Sequence, residues 1–223
     1  MAVNIQSLTY LFDTKLMGNG PVSRMVNEVL GEELGLVCLV EALDQSGFCP
    51  AKIESPSCTQ KTKKGKRLDA WVSGYSEGKR VLFQVEVKNW NSNSLGQDSF
   101  PWTDKDRSIA ARMKNWGIVC KGDLQNVEIC HEAVQKVLIP MRPDESFGEK
   151  ADHPLVCIWL PLHPEGRQDF LFSAKLAKPQ NGFSDVWFFS VSEFLAQRNK
   201  TKPLKLPQAE DKLKRLVELF GQP

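Results

Sequence analysis

The sequence has little excess charge and no long hydrophobic run. Its 29 Lys and Arg residues and 27 Asp and Glu residues leave a formal net charge of only +2. That balance excludes a polycation that binds nucleic acid through its total charge, so such binding would have to come from local patches. No apolar run approaches the ~20 residues of a membrane-spanning helix. Residues 1–20 also lack the basic segment and apolar core of a secretory signal. We therefore expect a cytoplasmic protein without a membrane partner.

Paired metal-ligand motifs and nucleotide-binding loops are also absent. None of the six cysteines lies in a Cys-x-x-Cys pair, which favours free, buried thiols in a reducing cytosol. The cysteines available for a zinc or iron–sulfur site are Cys49, Cys58, Cys120 and Cys130. Their spacing does not support such a site, and the three histidines form no HExxH motif. No Walker-type loop, nucleophile elbow or GxGxxG element stands out, so nucleotide hydrolysis and serine esterase chemistry have no support.

The pattern of apolar residues predicts an α/β protein. Hydrophobic residues make up 41% and charged residues 25% of the 223 residues, which is typical of one globular domain. The spacing predicts a helix over residues 21–47 that ends at Gly47, a short strand within 49–57, and a helix after Thr103. Apolar runs "VQKVLIPM", "PLVCIWLPL" and "DVWFFSV" indicate buried strands. Ser192 is expected to cap a short helix, and residues 207–220 are expected to form an amphipathic helix. This order favours a mixed sheet flanked by helices.

The stretch "KRLDAWVSGYSEGKRVLFQVEVKNW", residues 66–90, is typical of a hairpin with "GYSEG" as its turn. Side chains alternate between the faces of a strand, so Gln84, Glu86 and Lys88 share one face of the second strand. Asp69 lies near the start of the first strand. A short turn would bring Asp69 to Glu86 and place two carboxylates and one ammonium at one end of a sheet.

Those three groups have a chemical use together. Two carboxylates bind Mg²⁺ or Mn²⁺ through oxygen and leave positions for water and a phosphate oxygen. Such an ion polarises a phosphodiester and lowers the pKa of water, and an adjacent lysine can orient the attacking water. The alternative is a solvated Glu86–Lys88 pair on a wet strand face, which would contribute less than ~1 kcal/mol.

"RLDAWV" followed by "FQVEVKNW" resembles the PD-(D/E)XK nuclease superfamily, whose signature is an acid on one strand and ExK on the next. The resemblance covers residues 21–141. It implies a restriction-endonuclease-like α-β-β-β-α-β core with a mixed central sheet, within a single domain 1–223 that carries a C-terminal strand and helix extension at 142–223. It also implies that Asp69 and Glu86 are metal ligands and that Lys88 is the catalytic lysine.

The resemblance further implies a Mg²⁺-dependent (or Mn²⁺-dependent) nuclease that acts on DNA and can form a homodimer. Relatives often add a glutamate from the first helix to the metal site. In "LGEELGLVCLVEALDQSGF" this residue would be Glu32, with Glu28 and Glu33 as rivals.

Nucleic-acid contacts are expected beside the proposed site. The segment "KTKKGKR" contains Lys63, Lys64, Lys66 and Arg67, which would bind the phosphate backbone, although a solvated basic loop would have the same composition. Gln84 shares the Glu86 face and would line the cleft. The alternative function is a non-catalytic module that binds nucleic acid or protein on the same fold.

Overall fold

The computed structural model describes residues 2–3, 31–55, 68–88, 118–121, 126–130, 132–141, 149–158, 169–198, 203–206 and 211. The helices are α1 (Glu32–Gln45), α2 (Glu132–Gln135) and α3 (Val191–Gln197), with a 3₁₀ turn at Lys136–Leu138. The strands are β1 (Ala2–Val3), β2 (Lys52–Ser55), β3 (Ala70–Ser76), β4 (Lys79–Lys88), β5 (Ile118–Lys121), β6 (Asn126–Ile129), β7 (His153–Ile158), β8 (Leu171–Gln180), β9 (Phe183–Ser190) and β10 (Leu204–Lys205).

The main sheet is mixed. Its strand order within the described residues is β2-β3-β4-β7-β9-β8-β6-β5. Strands β2, β3 and β4 form an antiparallel meander, whereas β4 pairs in parallel with β7, and β7 in parallel with β9. The predicted α/β class, with helices packed on a mixed sheet, is confirmed.

The β3–β4 hairpin is confirmed, with a tighter turn than "GYSEG". Its register runs from Ser76 opposite Lys79 to Ala70 opposite Val85. Glu77 and Gly78 connect the strands at φ values of 52° and 76°, the left-handed conformation that two-residue hairpin turns require. Gly74 lies inside β3, where a Cβ atom would be 2.5 Å from the carbonyl oxygen of Phe48.

Helix α1 covers one face of the sheet. It ends at Gln45, and Gly47 follows at φ 90°, as the predicted helix stop requires. Leu34, Leu39 and Leu43 are fully buried along its inner side. At Gly35 a Cβ atom would lie 3.2 Å from both Val87 Cγ1 and Cys157 Sγ, so the helix packs closely on β4 and β7. Val87 therefore marks the α1 face of β4.

The segment 132–141 covers the opposite face of β4. The prediction of a strand at "VQKVLIPM" is wrong, because these residues form the end of α2, the 3₁₀ turn and an extended exit. Val137 and Leu138 are buried against the sheet. A short apolar run does not distinguish a buried strand from a buried helical segment, which explains the error.

Residues beyond 142, which the resemblance leaves outside the core, supply middle strands of the sheet. Strands β7 and β9 match the predicted runs "PLVCIWLPL" and "DVWFFSV", whereas β8 was not predicted. The cap of α3 is Ser190 rather than Ser192, because the Ser190 hydroxyl accepts a hydrogen bond from Glu193 N at 3.3 Å. The helix predicted after Thr103 lies outside the described residues, as does the tail helix apart from Asp211.

In the part of the chain that the structure describes, no helix has the length and apolar character needed to cross a membrane. The thiols described there are free. Cys38 and Cys157 are buried as expected, whereas Cys49 and Cys130 are exposed.

Candidate functional site

Asp69 immediately precedes β3, at the end of the β3–β4 ladder that lies nearest Glu86. Its backbone N–H donates to Val85 O at 3.1 Å, and Val87 N donates to its carboxylate oxygen Oδ2 at 2.7 Å. The ladder itself ends at the pair of Ala70 and Val85. The charge of Asp69 contributes to the pKa of Glu86, so the two carboxylates lie near each other, as the sequence predicts.

Glu86 is fully buried on a strand that has neighbours on both sides. It pairs with Val156 of β7, and its side chain has no exposed surface. Burial raises the pKa of Glu86 to about 7, and the nearby charge of Asp69 adds to the rise, while Lys88 and Lys136 oppose it. A buried carboxylate is costly unless cations or hydrogen bonds compensate it.

Two lysines provide that compensation. The Lys88 ammonium contacts Glu86 Oε1, and the Lys136 ammonium lies 2.7 Å from Glu86 Oε2. The ion-pair distance to Lys136 is short, yet Oε2 accepts no hydrogen bond of acceptable geometry from the described residues. We regard the contact as an ion pair with a poorly aligned donor. A carboxylate oxygen has two lone pairs, so Glu86 Oε2 can accept a further partner besides Lys136.

Sequence reasoning missed Lys136. It stands in the middle of "VQKVLIPM", where a single charge interrupts a buried apolar run. The same kind of interruption drew attention to Asp69, Glu86 and Lys88. A strand at this run would not place the lysine over β4. The 3₁₀ turn does so.

Gln84 has a structural role in this arrangement. Its side chain is fully buried. Its amide nitrogen donates to Val137 O and, at 3.0 Å, to Ile139 O, while its amide oxygen accepts from Met141 N at 3.2 Å. The predicted contact between Gln84 and nucleic acid would require breaking these bonds. Gln84 instead fixes the segment 136–141 to the sheet.

The helix glutamate is placed differently from the two strand carboxylates. Glu32 is exposed in the first turn of α1, and Gly35 of the same helix contacts Val87, so Glu32 lies at the same end of the sheet as Glu86. However, α1 covers the face of β4 opposite to the Glu86 side chain. Within the described ranges no group of three or more carboxylate, imidazole or thiolate side chains could hold a metal ion. Glu33 is buried in α1, and Glu28 lies outside the described residues.

The predicted phosphate-binding residues of the basic segment also lie outside the described residues. They are Lys63, Lys64, Lys66 and Arg67.

The described cluster therefore comprises Asp69, Glu86, Lys88 and Lys136, two acids and two bases at one end of β4. Comparison of the chain with protein-family models, with curated proteins and with solved structures gave no significant match.

Proposed function

We propose that this chain is a metal-dependent nuclease of the PD-(D/E)XK type that hydrolyses phosphodiester bonds in DNA. The observation that carries the proposal is the charge interaction between Asp69 and the buried Glu86, with the Lys88 ammonium on the Glu86 carboxylate. The order of elements also supports it: helix α1, the antiparallel meander β2-β3-β4, and a parallel neighbour for β4. The homodimer implied by the resemblance remains a prediction.

The residues fit Mg²⁺ or Mn²⁺ in donor chemistry. Mg²⁺ is commonly held by one or two carboxylates, with water and substrate phosphate completing its shell. Asp69 would bind through the carboxylate that Val87 N holds in place, and Glu86 through Oε2, the buried oxygen without a well-aligned donor. When bound, the ion would polarise the phosphodiester and lower the pKa of water. For Glu32 to bind the same ion, as the resemblance implies, its side chain would have to extend from α1 past the end of the sheet to the other face.

Lys88 is the residue of the protein that would take part directly in the reaction. Its side chain is 15% exposed, so its ammonium can reach both the buried Glu86 and a substrate at the sheet end. There it would orient the attacking water and offset the negative charge that develops on the phosphate. Burial of the neighbouring carboxylate strengthens these interactions, because the local dielectric constant is low.

The test is cleavage of labelled single-stranded and duplex DNA by the purified chain with Mg²⁺ or Mn²⁺. Asp69→Asn should abolish cleavage while leaving the fold intact. Asp152→Asn is the matched control, because Asp152 also accepts a β4 backbone N–H, from Leu82 at 2.7 Å, but near the other end of the strand. Absence of any metal-dependent cleavage by the wild type would count against the proposal.

One observation favours the alternative, a non-catalytic module that binds nucleic acid or protein. Lys88 and Lys136 together neutralise the Glu86 carboxylate and one more negative charge, so the cluster can balance its charges without an ion. In that case Asp69→Asn would leave nucleic-acid binding unchanged, and calorimetric titration with Mn²⁺ would detect no heat of binding.

A further inference from the structure

Lys136 is the residue of the cluster to which the proposed chemistry gives no role. It opens the 3₁₀ turn on the face of β4 opposite α1, and its ammonium lies 2.7 Å from Glu86 Oε2. Its side chain is only 19% exposed. A lysine loses side-chain entropy when it is held in one conformation, so this placement needs support from its surroundings.

The support comes from two sides of the turn. Gln84 binds the backbone of Val137, Ile139 and Met141 from within the sheet. From the β8–β9 connection, Asn181 Nδ2 donates to Leu138 O at 2.8 Å. The residues that follow Lys136 are thus anchored both to β4 and to the β8–β9 connection. These anchors fix the backbone position from which the Lys136 side chain reaches Glu86.

We propose that Lys136 is a positioning residue that holds Glu86 through Oε2 in the absence of a divalent ion and gives up that oxygen when the ion binds. This inference rests on the proposed function. The oxygen that Lys136 approaches is the one to which the metal would bind, and two cations cannot occupy one side of a carboxylate oxygen without repulsion. A neighbouring charge within ~4–6 Å changes the affinity of a carboxylate for a proton about 10-fold or more. Removing the ammonium should similarly strengthen binding of another cation.

The experiment is calorimetric titration of MnCl₂ alone into the metal-free full chain, above the pKa of Glu86. Lys136→Met removes the charge and keeps most of the stem, whereas Lys136→Arg restores the charge. We expect Lys136→Met to bind Mn²⁺ about tenfold more tightly than the wild type, since one repelling charge is lost, and Lys136→Arg to bind as the wild type does. Lys79→Met is the matched control, because Lys79 lies exposed at the opposite end of β4. The Mn²⁺ affinity of this variant should equal that of the wild type.

The outcomes separate this inference from the proposed function. Equal Mn²⁺ affinity in the wild type and Lys136→Met would overturn the role of Lys136 and leave the metal-dependent function standing. Absence of binding in every variant would overturn both. Binding by Lys136→Met alone would support the inference. If circular dichroism shows that Lys136→Met is unfolded, Lys136→Gln provides the same loss of charge with a side chain that can donate to Oε2.

Discussion

Val87 N donates a hydrogen bond at 2.7 Å to the carboxylate of Asp69, the residue immediately before β3. A backbone N–H group of β4 thus holds the Asp69 side chain beside the strand that carries Glu86. Their charges are coupled, since Asp69 follows burial as a cause of the raised pKa of Glu86. The cluster that results has consequences for metal binding, pH dependence and stability that can be measured separately.

Replacing Glu86 with glutamine should abolish Mn²⁺ binding. Glutamine preserves the size of the side chain but supplies neither a negative charge nor the second carboxylate oxygen that would bind the ion. Calorimetry on the metal-free protein measures the loss. Glu128→Gln, at an exposed position of β6, is the control and should leave binding unchanged. Equal binding by Glu86→Gln and the wild type would exclude Glu86 as a ligand.

The stability of the metal-free protein should fall as pH rises through the range in which Glu86 ionises. The pKa of Glu86 is about 7 in the folded state, against an ordinary value of 4.5. Between these values the folded state binds the proton that the unfolded state has released, so the free energy of unfolding decreases with rising pH. The decrease relative to Glu86→Gln should be about 3 kcal/mol in total, since each unit corresponds to about 1.4 kcal/mol.

Urea unfolding of both proteins in chelator, from acidic to mildly alkaline pH, measures this difference. Ionising groups outside the cluster of Asp69, Glu86, Lys88 and Lys136 titrate alike in the two proteins and cancel. Curves that stay parallel across the range would mean that Glu86 is not protonated preferentially in the folded state.

Lys88→Ala should reduce DNA cleavage by about 10²–10⁴-fold, the usual contribution of a positioned acid or base, while Mn²⁺ still binds. The distinction follows from the geometry, because the ammonium of Lys88 contacts Glu86 but is not itself a metal ligand. Single-turnover cleavage at saturating Mn²⁺ measures the effect. Lys79→Ala removes an exposed lysine from the same strand and should cleave at the wild-type rate.

Gln84→Ala should lower the free energy of unfolding by about 3 kcal/mol, because it leaves buried backbone groups of the segment 137–141 without partners. Thermal or urea denaturation measures the change. Gln135→Ala removes one hydrogen bond, to Ile129 O at 2.9 Å, from an exposed side chain and should cost less than about 1 kcal/mol. A Gln84→Ala protein as stable as the wild type would show that the amide does not anchor the segment.

Gly74→Ala should be destabilising by about 2–3 kcal/mol, because the added methyl group would meet backbone and side-chain atoms of Phe48 at 2.5 and 2.7 Å. Gly35→Ala should cost less, since the contacts there are at 3.2 Å and involve the side chains of Val87 and Cys157, which can shift. Denaturation of both variants tests the order. A larger loss at Gly35 than at Gly74 would contradict it.

The hairpin and its acids could be predicted because the signals were local. The alternation of Val81 to Lys88 has the period of a strand, and a Glu-Gly turn fixes the pairing. Strand β8 carried a comparable signal, since Phe172, Ala174 and Leu176 are buried in alternation with Ser173 and Lys175. This local alternation is the signal in the sequence that indicates the strand.

The position of Lys136 could not be read from the sequence in this way. It depends on a contact between residues 50 positions apart in the chain, from Glu86 to Lys136, and on a 3₁₀ turn in a run that suits a strand equally well. The burial of Gln84 is similar. Strand alternation places Gln84 on the same face of β4 as Glu86. The segment that covers this face could be identified only from the fold.

Because side chains alternate strictly between the two faces of β4, the proposed activity depends on the correct register of the β3–β4 hairpin. A slip of one residue would turn Gln84 and Glu86 together toward the α1 side, so the polar anchor of the overlying segment and the buried carboxylate would be lost in the same event. A mispaired hairpin would then be wholly inactive rather than weakly active. Preparations that contain different amounts of mispaired protein should therefore differ in the fraction of active molecules. The turnover number of each active molecule should be the same.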